Sequence, residues 1–393
     1  MTPAARVQAA IELLDAVIAA AQADGAPADR LVSDYFRTRR YAGSKDRRAV
    51  RELVYRAIRA CGPLPPSGRA AMLRLVADDP SLAPLFDGST HGPAPVAPAE
   101  VAAEGGIAPE WLLAELAASG IADKEAAALL DRAPLDLRVN TLKADRSTME
   151  LPVPAQPTDA PQGLRVEPAS PVETWDGFRD GRIEVQDTGS QLACLAVGAQ
   201  PGETVIDLCA GAGGKTLALA AAMNNSGTLI AADTDRNRLS RLAPRAERAG
   251  AGMIETRLIN PRQELEMLAD LRGAADAVLV DAPCSGTGTW RRNPEARWRL
   301  TPERLGRFAD TQARLLDIAA ELVKPGGRLT FVTCSLLDAE GADQVEIFLA
   351  RHPGWSADLV DLPLGRARGK GWRLSPFHDG TDGFFIARLS RPC

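Results

Sequence analysis

The sequence predicts an α/β protein: a doubly wound, Rossmann-like parallel sheet, preceded by a small α/β module and an N-terminal bundle of helices. Three observations predict it. From about Gln186 onward, short apolar runs alternate with helical stretches, the signature of strands wound with crossover helices. The first run leads into a glycine-rich turn, Cys209-Ala210-Gly211-Ala212-Gly213-Gly214-Lys215. Two later runs each end beside a cysteine, in Asp281-Ala282-Pro283-Cys284 and in Thr333-Cys334-Ser335. A chain of 393 residues, 45% hydrophobic and 25% charged, has room for two or three such domains.

The N-terminal elements come first. Val7, Ala10, Ile11, Leu14, Val17 and Ile18 recur at helical spacing, as do Val50, Leu53, Val54, Ala57 and Ile58. The second half of this region is basic and carries Arg39, Arg40, Arg47 and Arg48 among Tyr35, Phe36, Tyr41 and Tyr55. That pattern suits contact with RNA phosphates; a solvated helix face with its aromatics in the core is the alternative. Residues 62–100, rich in Pro, Gly and Ala with one helical stretch near Ala70 to Val76, read as a loosely packed tail and a linker. The first domain is therefore placed at 1–105.

Two helical segments, Pro109 to Ala118 and Lys124 to Arg132, precede the alternating strand Leu137 to Lys143. Short strands near Leu164 to Val166 and Gly181 to Val185 complete a module at 106–185. The third domain, 186–393, holds strands at Thr204 to Leu208, Thr228 to Asp233, Thr256 to Asn260, Ala277 to Asp281, Arg328 to Cys334 and Phe384 to Leu389. Helices are expected at Lys215 to Met223, Arg236 to Ala249, Arg304 to Val323 and Ala339 to Arg351.

The turn after the first strand of that domain fits neither nucleotide-phosphate pattern. A phosphate loop would need glycine at Cys209, and a dinucleotide fingerprint would need glycine at Thr216. What remains is a turn that lets a ligand lie against bare backbone, and an acid, Asp233, closing the next strand. A carboxylate there can take both hydroxyls of a ribose. A ribose-bearing cofactor without a pyrophosphate suits S-adenosylmethionine (SAM). Two thiols at consecutive strand ends face one crevice, since ligands in such sheets sit beyond the carboxyl ends of the strands. Residue chemistry alone does not rank Cys284 against Cys334 as a nucleophile.

The segments at 207–216, 281–288 and 333–335, with Gln186-Asp187-Thr188-Gly189-Ser190-Gln191-Leu192, Arg291-Arg292-Asn293-Pro294 and Asp382-Gly383-Phe384-Phe385, together resemble the RNA cytosine-5 methyltransferases of the Sun/RsmB group. The resemblance implies a class I SAM-dependent methyltransferase domain, an RNA-recognition-like module carrying Leu137 to Lys143, and a NusB-like N-terminal domain. It implies that Cys334 attacks C6 of cytosine and that Cys284 assists breakdown of the adduct. It implies SAM held by residues 209–215, Asp233 and Asp281, with Asn260 standing where the family usually has an aspartate for the adenine amino group. Asp281 is expected at the N3/N4 edge of a flipped cytosine. Lys215 is expected to point toward Asp281 or the base, although solvent suits a lysine near a helix start equally well. Arg291 and Arg292 join the four earlier arginines as RNA contacts.

The implied substrate is small-subunit ribosomal RNA. Transfer RNA is one alternative, and a ribosome-assembly factor with a vestigial catalytic domain is another. A net charge of −5 excludes a uniformly basic coat but leaves local patches open. Six scattered cysteines without a Cys-x-x-Cys pair, and three distant histidines, give no zinc pattern. No metal, no membrane partner, a cytoplasmic location and a monomer are expected.

Overall fold

Apolar spacing becomes a buried face in helix α1 (Pro3–Gln22), where Val7, Ala10, Leu14 and Val17 are fully enclosed. Thr2 caps it, its Oγ1 accepting from Ala5 N at 3.2 Å, with Pro3 in the first turn. Helices α2 (Ala28–Thr38), α3 (Ser44–Ala60) and α4 (Gly68–Asp78) pack with it around one core. A Cβ on Gly68 would stand 2.2 Å from the Ile11 carbonyl, so α4 can start against α1 only with glycine there. The segment read as a loosely packed tail is instead part of this core, because Met72, Leu82 and Phe86 are buried in it. Helices α5 (Glu110–Ala118) and α6 (Asp123–Ala127) follow.

The structure is a computed structural model that describes residues 1–393. Its contacts define two units, Met1–Asp131 with Thr289–Thr301, and Arg132–Gly288 with Pro302–Cys393. This division differs from the expected three domains in two places. The helical unit runs to Asp131 rather than to 105, and the expected module and catalytic domain fall together in the second unit.

The excursion 289–301 joins the helical unit by capping its helices. The carboxylate of Glu295 accepts from Ala28 N at 3.0 Å, at the start of α2. Buried Arg297 donates to the carbonyls of Ile58 (2.7 Å) and Cys61 (2.6 Å) at the end of α3. Arg299 donates to Gly25 O and Ala26 O, 2.9 and 2.8 Å away, just beyond α1. An acid at a helix start and arginines at helix ends satisfy orphan backbone groups and oppose the helix dipoles.

In the second unit, β1 (Leu135–Val139), β2 (Ala155–Pro157), β3 (Gly163–Val166) and β4 (Ile183–Val185) form an antiparallel sheet in the order β2-β3-β1-β4. Helix α7 (Asp176–Arg179) precedes β4. One face buries Leu137, Val139, Leu164, Val166 and Ile183. The other carries Asp136, Arg138, Arg165 and Glu184 and no aromatic platform for bases. It is spent on α8 (Thr188–Val197) and the helices beyond: Asp136 accepts from Thr188 Oγ1 at 2.7 Å, and Glu184 pairs with Arg245 and Arg248. The expected strand Leu137 to Lys143 instead starts at Leu135 and ends at Val139, four residues early, and is mostly buried.

The large sheet contains the parallel strands β5 (Thr204–Asp207), β6 (Thr228–Asp233), β7 (Ile254–Leu258), β8 (Ala275–Asp281) and β9 (Val323–Thr333). With β10 (Ser356–Asp358), β11 (Arg366–Arg368), β12 (Gly371–Leu374) and β13 (Phe384–Ser390), the order is β11-β12-β13-β9-β8-β5-β6-β7, β10 also pairing with β13. Sequence order reverses between β5 and β8, which marks the crevice where such sheets bind ligands. Helices α9 (Gly214–Ala222), α10 (Arg236–Leu239), α11 (Leu242–Ala249), α12 (Glu264–Met267), α13 (Pro302–Leu322), α14 (Ala342–Arg351) and α15 (Pro376–Asp379) complete the unit. The single helix expected over 236–249 is broken after Leu239, because Pro244 lacks an N–H and its ring would collide with the Ser240 carbonyl.

Replacing Arg297 with leucine leaves the end of α3 without its donors. The expected loss is about 2–4 kcal/mol of stability for the helical unit. Calorimetry of the full chain checks this, and an unchanged thermal profile contradicts it.

Candidate active site

Strands β8 and β9 run parallel with Asp281 opposite Val332. Beyond that pair Ala282 N donates to Val332 O at 2.9 Å and Gly288 N to Cys334 O at 3.0 Å, so the two loops leave the sheet side by side. The Sγ atoms of Cys284 and Cys334 are 3.3 Å apart. Both side chains are partly exposed, while the residues that follow them, Ser285 and Ser335, are buried. The hydrogen bond to Cys334, then burial, then the charge interactions with Cys334 and Glu340 push the Cys284 thiol well above its ordinary value. Each of these causes favours the protonated form of Cys284.

Asp281 closes β8 beside them. Its Oδ2 accepts from Lys215 Nζ at 2.6 Å, and its carboxylate is partly exposed to the crevice. Burial works against the Lys215 ammonium, but Asp281 and the nearby thiols outweigh it, so Lys215 is held above its ordinary value and charged. The ammonium also lies 5.5 Å from the ring of Phe384. Of the readings open for Lys215, the structure selects the pairing with Asp281.

The glycine-rich turn curls over the end of β5. Gly211 and Gly213 have φ of 54° and 86°, the left-handed region. Gly211 N donates to Asp233 Oδ2 at 2.7 Å, and Asp235 N to Asp233 Oδ1 at 2.7 Å. Each Asp233 oxygen keeps a lone pair for a ligand hydroxyl. Beneath the turn, buried Asp207 accepts from Thr216 Oγ1 at 2.6 Å, while its Oδ1 has no hydrogen-bond partner. Burial, with Asp281 and Asp233 nearby, pushes Asp207 up to about 7. A Cβ on Gly214 would meet nothing within 4 Å, so the start of α9 faces open space. An acceptor-rich crevice beside a bare backbone turn fits a ligand bearing hydroxyls and positive charge.

Cys209 packs against the apolar core with its thiol raised, first by burial and then by Asp207, which makes it a packing residue. Asn260 is exposed just past β7, its Nδ2 donating to Gln263 Oε1 at 3.0 Å, which leaves its own Oδ1 as an acceptor.

Among the RNA candidates, Arg40 and Arg48 are exposed and unpaired. Arg39 stacks 3.6 Å from the Tyr35 ring centroid, and Arg47 donates to Ala42 O at 2.9 Å. Arg291 is a correction: its side chain is 6% exposed, drawn into the helical unit by the capping segment that contains it. Arg292 is half-buried.

Sequence reasoning missed three residues that shape this site: Asp207, Gln312 and Glu340. Asp207 was at least legible as the polar end of an apolar run. Glu340 and Gln312 belong to no motif, and only the fold brings them to the cysteine loops.

The profile of the family described as 16S rRNA methyltransferase RsmB/F matches residues 194–390. A protein of Synechocystis sp. named probable ribosomal RNA small subunit methyltransferase B is 36% identical over 304 residues, covering 72% of this chain and 66% of that protein. The ribosomal RNA small subunit methyltransferase B of Xylella fastidiosa is 36% identical over 292 residues, covering 72% of this chain and 68% of its own. The chain thus spans about two thirds of the length of these curated relatives. The crystal structure of PH0851 superposes with a TM-score of 0.78 at 26% identity, over 100% of this chain and 99% of that one.

Asp207 generates a pH prediction. A buried carboxyl raised to about 7 from 3.8 makes its full contribution to stability below its unfolded value and loses it as pH rises toward 7. Asp207→Asn is therefore expected to flatten the fall in stability between pH 4 and 7, measured by chemical denaturation at each pH. A slope equal to that of the parent protein contradicts the assignment.

Proposed function

Because this chain belongs to the 16S rRNA methyltransferase RsmB/F family, we propose that it methylates C5 of a cytidine in small-subunit ribosomal RNA, using S-adenosylmethionine and a covalent bond from Cys334 to C6. The observation that carries this reading is the thiol pair, 3.3 Å apart, beside an Asp281–Lys215 pair at 2.6 Å. SAM supplies an electrophilic methyl group. Asp233 would take its ribose hydroxyls, the backbone of residues 209–214 would line its amino-acid end, and Asn260 would accept from its adenine amino group.

C5 of cytosine is a weak nucleophile, so the chain's own residues must first enrich the ring in electrons. The Cys334 thiolate adds to C6, and the electron pair of the 5,6 bond moves toward C5. Lys215 fixes one oxygen of Asp281, which leaves the other to accept from the exocyclic N4–H of the base. Uracil presents an acceptor at that position and would leave Asp281 facing it unpaired, a penalty that favours cytosine. Once C5 carries the methyl group, water in the crevice takes the C5 proton, the C–H electron pair restores the 5,6 double bond, and the C6–S bond breaks with its pair left on Cys334. Cys284, protonated and 3.3 Å away, donates its proton to the departing sulfur.

Cys334→Ala is expected to lower methyl transfer by roughly 10⁴-fold or more while leaving SAM affinity intact, read by tritium incorporation and calorimetry. Turnover near that of the parent protein contradicts the assignment. Cys284→Ala is expected to accumulate an RNA–protein adduct that survives denaturing electrophoresis, and its absence contradicts the resolving role.

The exposed arginines give a second, separate outcome. If Arg40 and Arg48 each neutralise a phosphate, replacing both with glutamine lowers the slope of log affinity against log salt by about 0.7–0.9 per contact. An unchanged slope shows a solvated face.

A further inference from the structure

Glu340 lies six residues beyond Cys334, at the end of a short turn before α14, and its side chain is fully buried. A buried carboxylate is unfavourable unless donors surround it, and here the donors come from both cysteine loops. Ser285 N donates to its Oε1 at 2.8 Å, and the Ser285 hydroxyl donates to its Oε2. The Ser335 hydroxyl also donates to Oε2, at 2.6 Å. Gln312, from the middle of α13, bridges Glu340 Oε1 (3.1 Å) and the Pro283 carbonyl (2.9 Å) through one amide nitrogen. The backbone carbonyl of Glu340 accepts from Thr333 Oγ1 at 3.0 Å.

These contacts fall on the residues that flank the thiols. Pro283 and Ser285 bracket Cys284, and Thr333 and Ser335 bracket Cys334. One residue, with Gln312 as its extension, thus holds each cysteine from both sides. We propose that Glu340 is a positioning residue that sets the separation of the two active-site sulfurs by clamping the neighbours of Cys284 and Cys334 to one buried carboxylate. The inference deepens the two-thiol reading and rests on it, since relay of a proton from one sulfur to the other depends on their distance. Glu340 itself reaches neither base nor cofactor and acts through its neighbours.

The test uses the full chain and a readout independent of RNA. The oxidant diamide removes two hydrogens from a close thiol pair and leaves a disulfide, so its rate at Cys284–Cys334 reports sulfur proximity. Glu340→Ala is expected to slow that step about tenfold and to lower kcat about 100-fold, with KM for RNA and SAM affinity changed less than about threefold. Glu340→Gln keeps the size and one acceptor oxygen, its amide nitrogen donating to the Ser285 and Ser335 hydroxyls in place of accepting from them, and is expected to recover disulfide formation to within about threefold of the parent protein. Should Glu340→Ala fail to fold, Gln312→Leu removes one arm of the clamp and is expected to slow the disulfide step about threefold. A variant lacking Glu340 or Gln312 that binds SAM normally and forms the disulfide at the parent rate overturns the proposal. Slowed crosslinking in the variants, combined with no methyl transfer to ribosomal RNA by the parent protein, upholds the clamp and overturns the substrate reading instead.

Discussion

The in-register parallel pairing of β8 with β9 is the constraint on which the site depends. With Asp281 set against Val332, Cys284 stands three positions beyond the one residue and Cys334 two positions beyond the other. A shift of one residue in either strand would move its whole apolar set to the opposite face of the sheet. Burial of Val278, Val280, Leu329 and Phe331 therefore fixes not only the core but also the place where two sulfurs meet. Side-chain hydrogen bonds refine what the pairing delivers, chief among them the carboxylate of Glu340 between the serines that follow the two thiols.

Charge at the strand ends follows a second logic. Asp207, Asp233 and Asp281 close three neighbouring parallel strands, and only Asp281 has a buried cation to pair with. Asp233 is satisfied by backbone N–H groups, and Asp207 by one hydroxyl and by partial retention of its proton. Crowding acceptors in this way disfavours the isolated protein and favours a ligand rich in donors. It is the reverse of a phosphate site, in agreement with the failure of Cys209 and Thr216 to complete either phosphate motif.

Much of this was legible in the sequence because parallel strands buried on both faces read as continuous apolar runs. The ends of β6, β8 and β13 fall within two residues of their expected places, and both thiols and Asp281 are brought together as read. Strands β10 and β11 were not legible. Three residues each, with Ser356, Asp358, Arg366 and Arg368 among them, they carry no apolar alternation and exist through pairing with β13 and β12. Long-range partnerships were equally hidden: Glu340 meets Ser285 across 55 residues of chain and Gln312 across 28. Glu295, Arg297 and Arg299 read as part of a basic loop beside a motif, yet they act as helix caps for elements more than 200 residues earlier. That hidden role is why Arg291 was mistaken for a surface contact.

The central claim is that Cys334, and not Cys284, bonds to the base. RNA carrying 5-fluorocytidine at the target position tests it most directly, because fluorine at C5 cannot leave as a proton does and the adduct is trapped. Digestion of the trapped complex and mass spectrometry of the modified peptide are predicted to place the nucleotide on Cys334. A nucleotide on Cys284, or no covalent complex under conditions that methylate unsubstituted RNA, would contradict the account.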